Sequence, residues 1–241
     1  MGLTKSGENV SAKDHARRVR EMFARISGRY DLLNHLLSAN IDKRWRRVLF
    51  EKLRTLIPAE AAILDVACGT GDLTVALFEN TGARVIGLDF CRPMLDLAAQ
   101  KYPLLSFVEG DALQLPFGDA AFDAVTIGFG LRNLSSVEAG LSELRRVLRP
   151  GGRVAILEFS KPAIPGFRLL VTAYCNHLLP RIGGIISGSR SAYRYLPESV
   201  SRFPDQQTLA DLMRTAGFDE VEFRNLTGGV VALHIGRRSA G

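Results

Sequence analysis

The sequence has little of what marks a disulfide-stapled, metal-bound or membrane-spanning chain. Cysteine occurs three times in 241 residues, at Cys68, Cys91 and Cys175. The number is odd, the positions are scattered and no CxxC pair is present. That fits a reducing compartment and offers no zinc site. No apolar run reaches the roughly 18 residues of a membrane span. The start is polar and lacks an apolar leader core, so no secretion signal is expected. No aromatic-rich RNA motif or zinc finger speaks for nucleic acid. There is no internal repeat.

What is present is a folded chain of ordinary α/β size, 46% hydrophobic with mixed charge. It is long enough to bury a proper core. The net charge of +6 is unevenly placed. Residues 1–60 hold 13 Lys/Arg against 7 Asp/Glu, while residues 61–241 hold 18 of each. An N-terminal excess of this kind suits an anionic membrane surface. A solvated basic helix face is the equal alternative.

Residues 1–14 read as unstructured. Apolar residues then recur at helical spacing from Val19 through Leu33, and again from Leu36 through Leu53, before Pro58. Strands and helices alternate beyond that point. Strands are expected at 63–67, 84–89, 105–109, 122–128 and 153–158, with helices at 72–80, 93–101 and 136–148. Arg149-Pro150-Gly151-Gly152 must break the last of these helices. Such alternation implies a parallel sheet covered on both faces. Residues 160–204 interrupt it with helical apolar content and a Gly/Ser-rich run at 183–189. Helix 206–216 resumes, and strands near 218–225 and 230–236 close the chain across Thr227-Gly228-Gly229 as an antiparallel hairpin. The expectation is one domain over 15–241, with 15–58 as a helical cap and 160–204 as an insertion covering the substrate.

The stretch Ile63-Leu64-Asp65-Val66-Ala67-Cys68-Gly69-Thr70-Gly71-Asp72 carries the chemistry. A buried strand runs into a glycine turn and then a helix, so a nucleotide-like cofactor can lie against bare backbone at Gly69, Thr70 and Gly71. Thr74 stands where a dinucleotide fingerprint wants its third glycine. Asp89 ends the second strand, 20 residues after Gly69, where a carboxylate can accept both ribose hydroxyls. Asp111 follows the third strand, placed to accept from an adenine amine, and Ala112 leaves room for the ring. Asp65 can hold an ammonium group directly or through water. The bland reading of each Asp is a helix cap, least comfortable for Asp65, because a lone buried carboxylate is costly. Carboxylates suit a cofactor with an amine and a sulfonium and no pyrophosphate. That describes S-adenosylmethionine better than a nicotinamide dinucleotide.

Several blocks resemble the ubiquinone/menaquinone biosynthesis C-methyltransferase family. They are Tyr30-Asp31-Leu32-Leu33-Asn34-His35-Leu36-Leu37-Ser38 with Trp45 downstream, Phe129-Gly130-Leu131-Arg132-Asn133, and Arg146–Arg153 continuing to Glu158-Phe159-Ser160. Tyr193–Ser199, Arg202–Gln206 and Arg224–Gly229 are similar to further blocks. The likeness spans about residues 19–238. It implies a class I, Rossmann-like methyltransferase with a seven-stranded, mostly parallel sheet. It also implies methyl transfer from S-adenosylmethionine to a ring carbon of a prenylated quinol, at the cytoplasmic face of the membrane. The family's cofactor contacts match Thr70, Asp89, Asp111 and Ala112. Gly128 stands where some members have Ser, so a contact there falls to backbone, and Asp42 stands where some have His.

A sulfonium methyl is already activated, so in-line placement supplies much of the rate. The ring carbon becomes nucleophilic when the neighbouring hydroxyl loses its proton, which calls for a base or relay. Tyr30, Arg132 and Asn133 are the candidates, with His35 behind them. Arg132 would stabilise phenolate charge, and its bland alternative is a loop salt bridge. Phe167, Leu170, Tyr174 and Leu178 form a stripe that can wall an isoprenoid tail, or else serve as a homodimer interface or plain core. Competing functions are a methyltransferase for another lipid or aromatic acceptor, and a catalytically silent partner in a quinone-synthesis complex.

Overall fold

The period-2 pattern of the central strands sorts their side chains onto two faces. In the computed structural model, which describes residues 4–29, 38, 40–162, 171 and 190–239, β1 (Ala62–Val66), β4 (Phe122–Gly128) and β5 (Leu148–Phe159) form the middle of the sheet. Leu64, Val66, Val125, Ile127, Val154 and Ile156 point into one buried cluster. Ile63, Ala124, Ala155 and Leu157 point into the other. Both faces are apolar because both are covered by helices.

The first cluster is closed by α5 (Val137–Val147) and α7 (Gln206–Thr215), through Leu141, Leu144, Leu209 and Met213. The second is closed by α2 (Ile41–Leu53) and α3 (Asp72–Thr81), through Trp45, Leu49, Leu73 and Leu77. Caps fix where two of these helices start. Ser136 Oγ accepts from Ala139 N at 3.1 Å, and Asp205 Oδ1 accepts from Thr208 N at 2.9 Å.

The seven strands lie in the order β3-β2-β1-β4-β5-β7-β6, with β2 at Arg84–Asp89, β3 at Ser106–Glu109, β6 at Phe218–Leu226 and β7 at Val231–Arg238. The first five are parallel, and β7 runs antiparallel to both β5 and β6. The expected closing hairpin is present, but its second strand inserts into the sheet and leaves β6 at the edge. The turn at 227–229 needs three successive positive φ values, 47°, 66° and 91°, which Thr227-Gly228-Gly229 supplies with two glycines.

Two expectations are corrected in detail. β5 begins at Leu148, not at 153, because Pro150 drives the chain out of helical geometry early and Leu148 already pairs with Phe122. At the N-terminus, α1 spans Thr4–Ile26, where the sequence reading left residues 1–14 without structure. Thr4–Ile26 holds no proline and a single glycine, Gly7, so little in it interrupts a helix. The stripe Phe167, Leu170, Tyr174 and Leu178 and the Gly/Ser run lie outside the described residues. The described end of the insertion is α6 (Arg190–Arg202).

The order reverses direction between β1 and β4, so a crevice opens outside the carboxyl ends of those strands. α4 (Arg92–Lys101) follows β2 at the same edge. There the backbone approaches closely. A Cβ on Gly130 would overlap that of Ala67, which explains a glycine at a position with ordinary φ.

Candidate functional site

The turn after β1 is built from strained backbone. Gly69 and Gly71 have φ of 57° and 86°, and two non-glycine residues, Ala67 and Phe129, sit at 54° and 58°. Those two follow the ends of neighbouring strands β1 and β4, and left-handed backbone without glycine costs about 1–3 kcal/mol. Packing holds Phe129 there. Its ring lies 5.9 Å from Trp45 and 4.9 Å from Phe159, and Trp45 Nε1 donates to Thr227 Oγ1 at 2.8 Å. Gly71 is the N-cap of α3 and packs under Phe107 and Tyr102, so it shapes the turn from behind.

Asp89 ties the turn to β2. Its Oδ2 accepts from Gly69 N and its Oδ1 from Cys91 N, both at 2.9 Å. It is buried, and burial pushes its carboxyl up against the pull of these amides. Asp65 lies deeper. Register places it directly beside Thr126 of β4, and Thr74 reaches it from the first turn of α3. Both hydroxyls donate to it at 2.7 Å, Thr126 to Oδ1 and Thr74 to Oδ2. Its side chain is fully enclosed, and that burial pushes the carboxyl up to about 6 despite the two hydroxyls. Among the described residues no cation is a hydrogen-bond partner of Asp65. Thr74 and Thr126 were missed in the sequence; counting alternation on β4 against β1 is the signal that finds Thr126.

A cavity of about 960 Å³ opens at this edge. It brings together Gly69, Asp89, Asp111, Ala112, Gly128 and Asn133 of the expected set. Asp111 stands exposed, one oxygen accepting from Leu113 N at 2.9 Å. Asp65 and Thr70 line an adjoining recess of about 60 Å³ that shares Gly69 and Gly128 with the cavity. A Cβ at Gly128 would come within 3.0 Å of Leu73 Cδ2, so a side chain there must displace that leucine. α1 adds a wall through Arg17, Arg20 and Phe23, and Met94, Leu134 and Ser136 line the cavity as well; the Arg20 guanidinium lies 5.4 Å from the Phe90 ring centre. The sequence implies N-terminal helices as walls of the acceptor's path without singling out Arg17, Arg20 and Phe23.

Arg132 departs from expectation. It does not line the cavity. Its Nη1 donates to Glu158 Oε1 at 2.7 Å and to the Phe129 carbonyl. The pair is 8% and 1% exposed, and the guanidinium lies over Phe159. Arg132 is thus the buried salt bridge of its bland alternative, holding the strained loop after β4. Asn133, next to it, does face the cavity. Its Oδ1 accepts from Tyr195 Oη at 3.1 Å, its Nδ2 donates to Phe129 O at 3.3 Å, and His15 Nε2 lies 3.2 Å from its carbonyl. Tyr30 and His35 lie outside the described residues. Asp42 is buried and pairs with Arg46 and Ser38. Burial pushes the Cys68 thiol far up, which suits a packed residue and not a nucleophile.

A sheet in this order, with a glycine turn and acidic strand ends, is the Rossmann-like fold of S-adenosylmethionine-dependent methyltransferases. A methyltransferase of that class from Thermotoga maritima matches with a TM-score of 0.64 at 18% identity, over 91% of this chain and 99% of that one. Phosphoethanolamine N-methyltransferase 2 of Haemonchus contortus, solved with S-adenosyl-L-methionine, matches at 0.57 and 18% identity, over 76% of this chain and 38% of that one. At that identity the likeness concerns the fold alone. The chain belongs to the ubiE/COQ5 methyltransferase family, whose model matches residues 10–238. It is 50% identical to a demethylmenaquinone methyltransferase of Thermus thermophilus, over 90% of this chain and all of that protein. It is 40% identical to the ubiquinone/menaquinone biosynthesis C-methyltransferase UbiE of Paracoccus denitrificans, over 94% and 93%.

Two outcomes test this geometry. Arg132→Ala strands the Glu158 carboxylate and is expected to lower stability by about 3–5 kcal/mol in urea denaturation. An apolar pair, Arg132→Met with Glu158→Leu, is expected to recover much of that loss. An undiminished Arg132→Ala protein would contradict the structural role. For Asp65 the sign runs with pH. The folded carboxyl keeps its proton up to about pH 6, whereas the unfolded one loses it near 3.8. Stability therefore falls as pH rises between those values, by about 3 kcal/mol. Asp65→Asn is expected to abolish this fall when denaturation of the ligand-free protein is compared at pH 4 and pH 7.

Proposed function

We propose that this chain transfers a methyl group from S-adenosylmethionine to a ring carbon of a prenylated quinol, converting demethylmenaquinol to menaquinol. The observation that carries the reading is likeness along the whole chain: half the residues match a protein named for that reaction over all of its length. The name of the Paracoccus relative adds the ubiquinol precursor as a second acceptor.

The cleft suits such a donor. Asp65 is a buried carboxylate whose hydrogen bonds come from hydroxyls alone, and an ammonium group supplies the charge it lacks. Asp89, at the end of β2, accepts the ribose hydroxyls with the lone pairs its two amide contacts leave over. Asp111 takes the adenine amine, and the small Ala112 leaves space beside it. Gly69, Thr70 and Gly128 offer backbone. When bound, the donor supplies a methyl group activated by its sulfonium.

On the acceptor side, Asn133 presents its carboxamide to the cavity with the oxygen committed to Tyr195 and one N–H to the Phe129 carbonyl, so its second amide N–H is the group left to hold a quinol oxygen. Tyr30 is proposed, from the family resemblance, to close the pocket and order a water that carries the quinol proton away. Arg132 acts at one remove, by fixing the loop that carries Asn133.

The acceptor's isoprenoid tail belongs to a membrane. No helix among the described residues is long and apolar enough to cross one. Arg17, Arg18 and Arg20 are exposed on α1, and contact of this basic helix with an anionic bilayer would bring the cavity to the quinol. Co-sedimentation with anionic vesicles is expected at low salt and is expected to fade at high salt; failure to bind at low salt ends that part of the reading. The reaction itself is tested by incubating the protein with labelled S-adenosylmethionine and demethylmenaquinol, and locating the methyl by mass spectrometry. Carbon methylation is expected. Methylation on oxygen, or donor binding without transfer, overturns the assignment.

A further inference from the structure

Three parts of the chain meet at Asn133. Its backbone belongs to the short 3-10 turn Leu131–Asn133 after β4. From α1, His15 Nε2 lies 3.2 Å from its carbonyl; a carbonyl only accepts, so the imidazole donates there. From α6, Tyr195 Oη donates to its Oδ1 at 3.1 Å. α6 is the described end of the insertion expected to cover the acceptor. Tyr195 does not line the cavity, so whatever it does to a ligand it does through Asn133.

A carboxamide has two orientations related by a half-turn, and they differ in which end offers hydrogens. At Asn133 the end that meets the Phe129 carbonyl has to be the nitrogen, because two oxygens with no hydrogen between them repel. That bond is long, 3.3 Å, and the same carbonyl also accepts from Arg132. Alone it fixes the amide weakly. The Tyr195 hydroxyl supplies the second constraint by giving the oxygen a donor of its own. Tyr195 is half-buried, and burial pushes its phenol above the ordinary tyrosine value. It therefore keeps its proton and stays a donor at physiological pH. With one N–H on Phe129 and the oxygen on Tyr195, a single N–H is left over at the cavity wall.

We infer that Tyr195 is a positioning residue for methyl transfer: its hydroxyl sets the carboxamide of Asn133 so that the free N–H, and not the oxygen, meets the acceptor's ring oxygen. This rests on the quinol reading above and adds to it a residue that acts at one remove from the ligand. The chemistry calls for that orientation. As the ring hydroxyl gives up its proton, its oxygen becomes an anion. An N–H donor binds an anion more strongly than a neutral oxygen, whereas an amide oxygen repels it. A donor already in place when the charge develops needs no reorientation at that moment. Tyr195 thus favours the transition state over the bound quinol, and its loss falls on kcat.

The test is a double-mutant cycle on demethylmenaquinol methylation, with Tyr195→Phe and Asn133→Ala made singly and together. Tyr195→Phe keeps the ring and removes one hydroxyl. It is expected to lower kcat about threefold to tenfold, the range for one hydrogen bond. Its affinity for S-adenosylmethionine, read by calorimetry, and the pH profile of kcat are expected to stay as in wild type. In the Asn133→Ala background the same substitution is expected to change nothing, because the group it orients is gone. Asn133→Leu, closer in volume, replaces Asn133→Ala should that variant not fold. A merely structural hydroxyl gives a loss that adds to that of the Asn133 variant, or one shared by donor affinity, and either result overturns the inference. So does an undiminished kcat in Tyr195→Phe. A shifted pH profile overturns it too, since the phenol would then carry the proton itself. Wild-type protein that binds S-adenosylmethionine yet methylates no quinol sinks the acceptor reading instead, an outcome distinct from the others.

Discussion

A carboxylate enclosed at the centre of a parallel sheet constrains everything around it. Asp65 must be held by hydrogen bonds or left neutral. Two elements are placed so that it is held. β4 runs beside β1 in the register that puts Thr126 against it. α3 begins where its first turn offers Thr74, and that start depends on Gly71 adopting a φ of 86°. The hydroxyls leave the group at about 6, still above its ordinary value. The ligand-free protein therefore carries a standing cost of about 3 kcal/mol near neutral pH.

The strain at the neighbouring strand end follows the same logic. Phe129 holds left-handed backbone because three things fix it. Its ring packs with Trp45 and Phe159, its carbonyl accepts from Arg132, and Arg132 is itself locked to Glu158. Those partners come from three parts of the chain: α2, β5 and the loop after β4. The loop can then present Asn133 to the cavity. A buried ion pair is weak evidence for stability; here its value lies in geometry, since it holds a loop whose own backbone preference points elsewhere.

Much of this was legible in the sequence. Strands β1, β2, β4, β6 and β7 show as apolar or alternating runs ended by Gly, Asp or Asn, and the two-sided apolar character of β4 and β5 announces a sheet covered on both faces. Asp65 is marked by the cost of a lone carboxylate within an apolar strand, and Asp89 by its place at the end of β2, 20 residues after Gly69. Partnerships across the sheet were not legible. Thr126 is 61 residues from Asp65 and Glu158 is 26 from Arg132; side-chain periodicity gives faces, not neighbours. Arg132 was read as facing the ligand for that reason. The placement of β7 between β5 and β6 was hidden in the same way, because a tight turn fixes pairing within a hairpin and says nothing of which strand joins the sheet.

The charge that opened the reading finds its place last. The basic excess of residues 1–60 is divided between two helices with different tasks. On α1, Arg17 and Arg20 are exposed and also line the cavity. Positive charge there borders the cavity. On α2, Arg46 is drawn inward by Asp42 and Asp72, away from solvent. Screening separates the two. Exposed arginines act over about 8 Å at physiological salt and weaken as salt rises. A shielded arginine in a small recess is nearly indifferent to salt. Any attraction of α1 for an anionic surface is expected to fade as ionic strength increases, whereas the shielded Asp42–Arg46 pair is expected to persist.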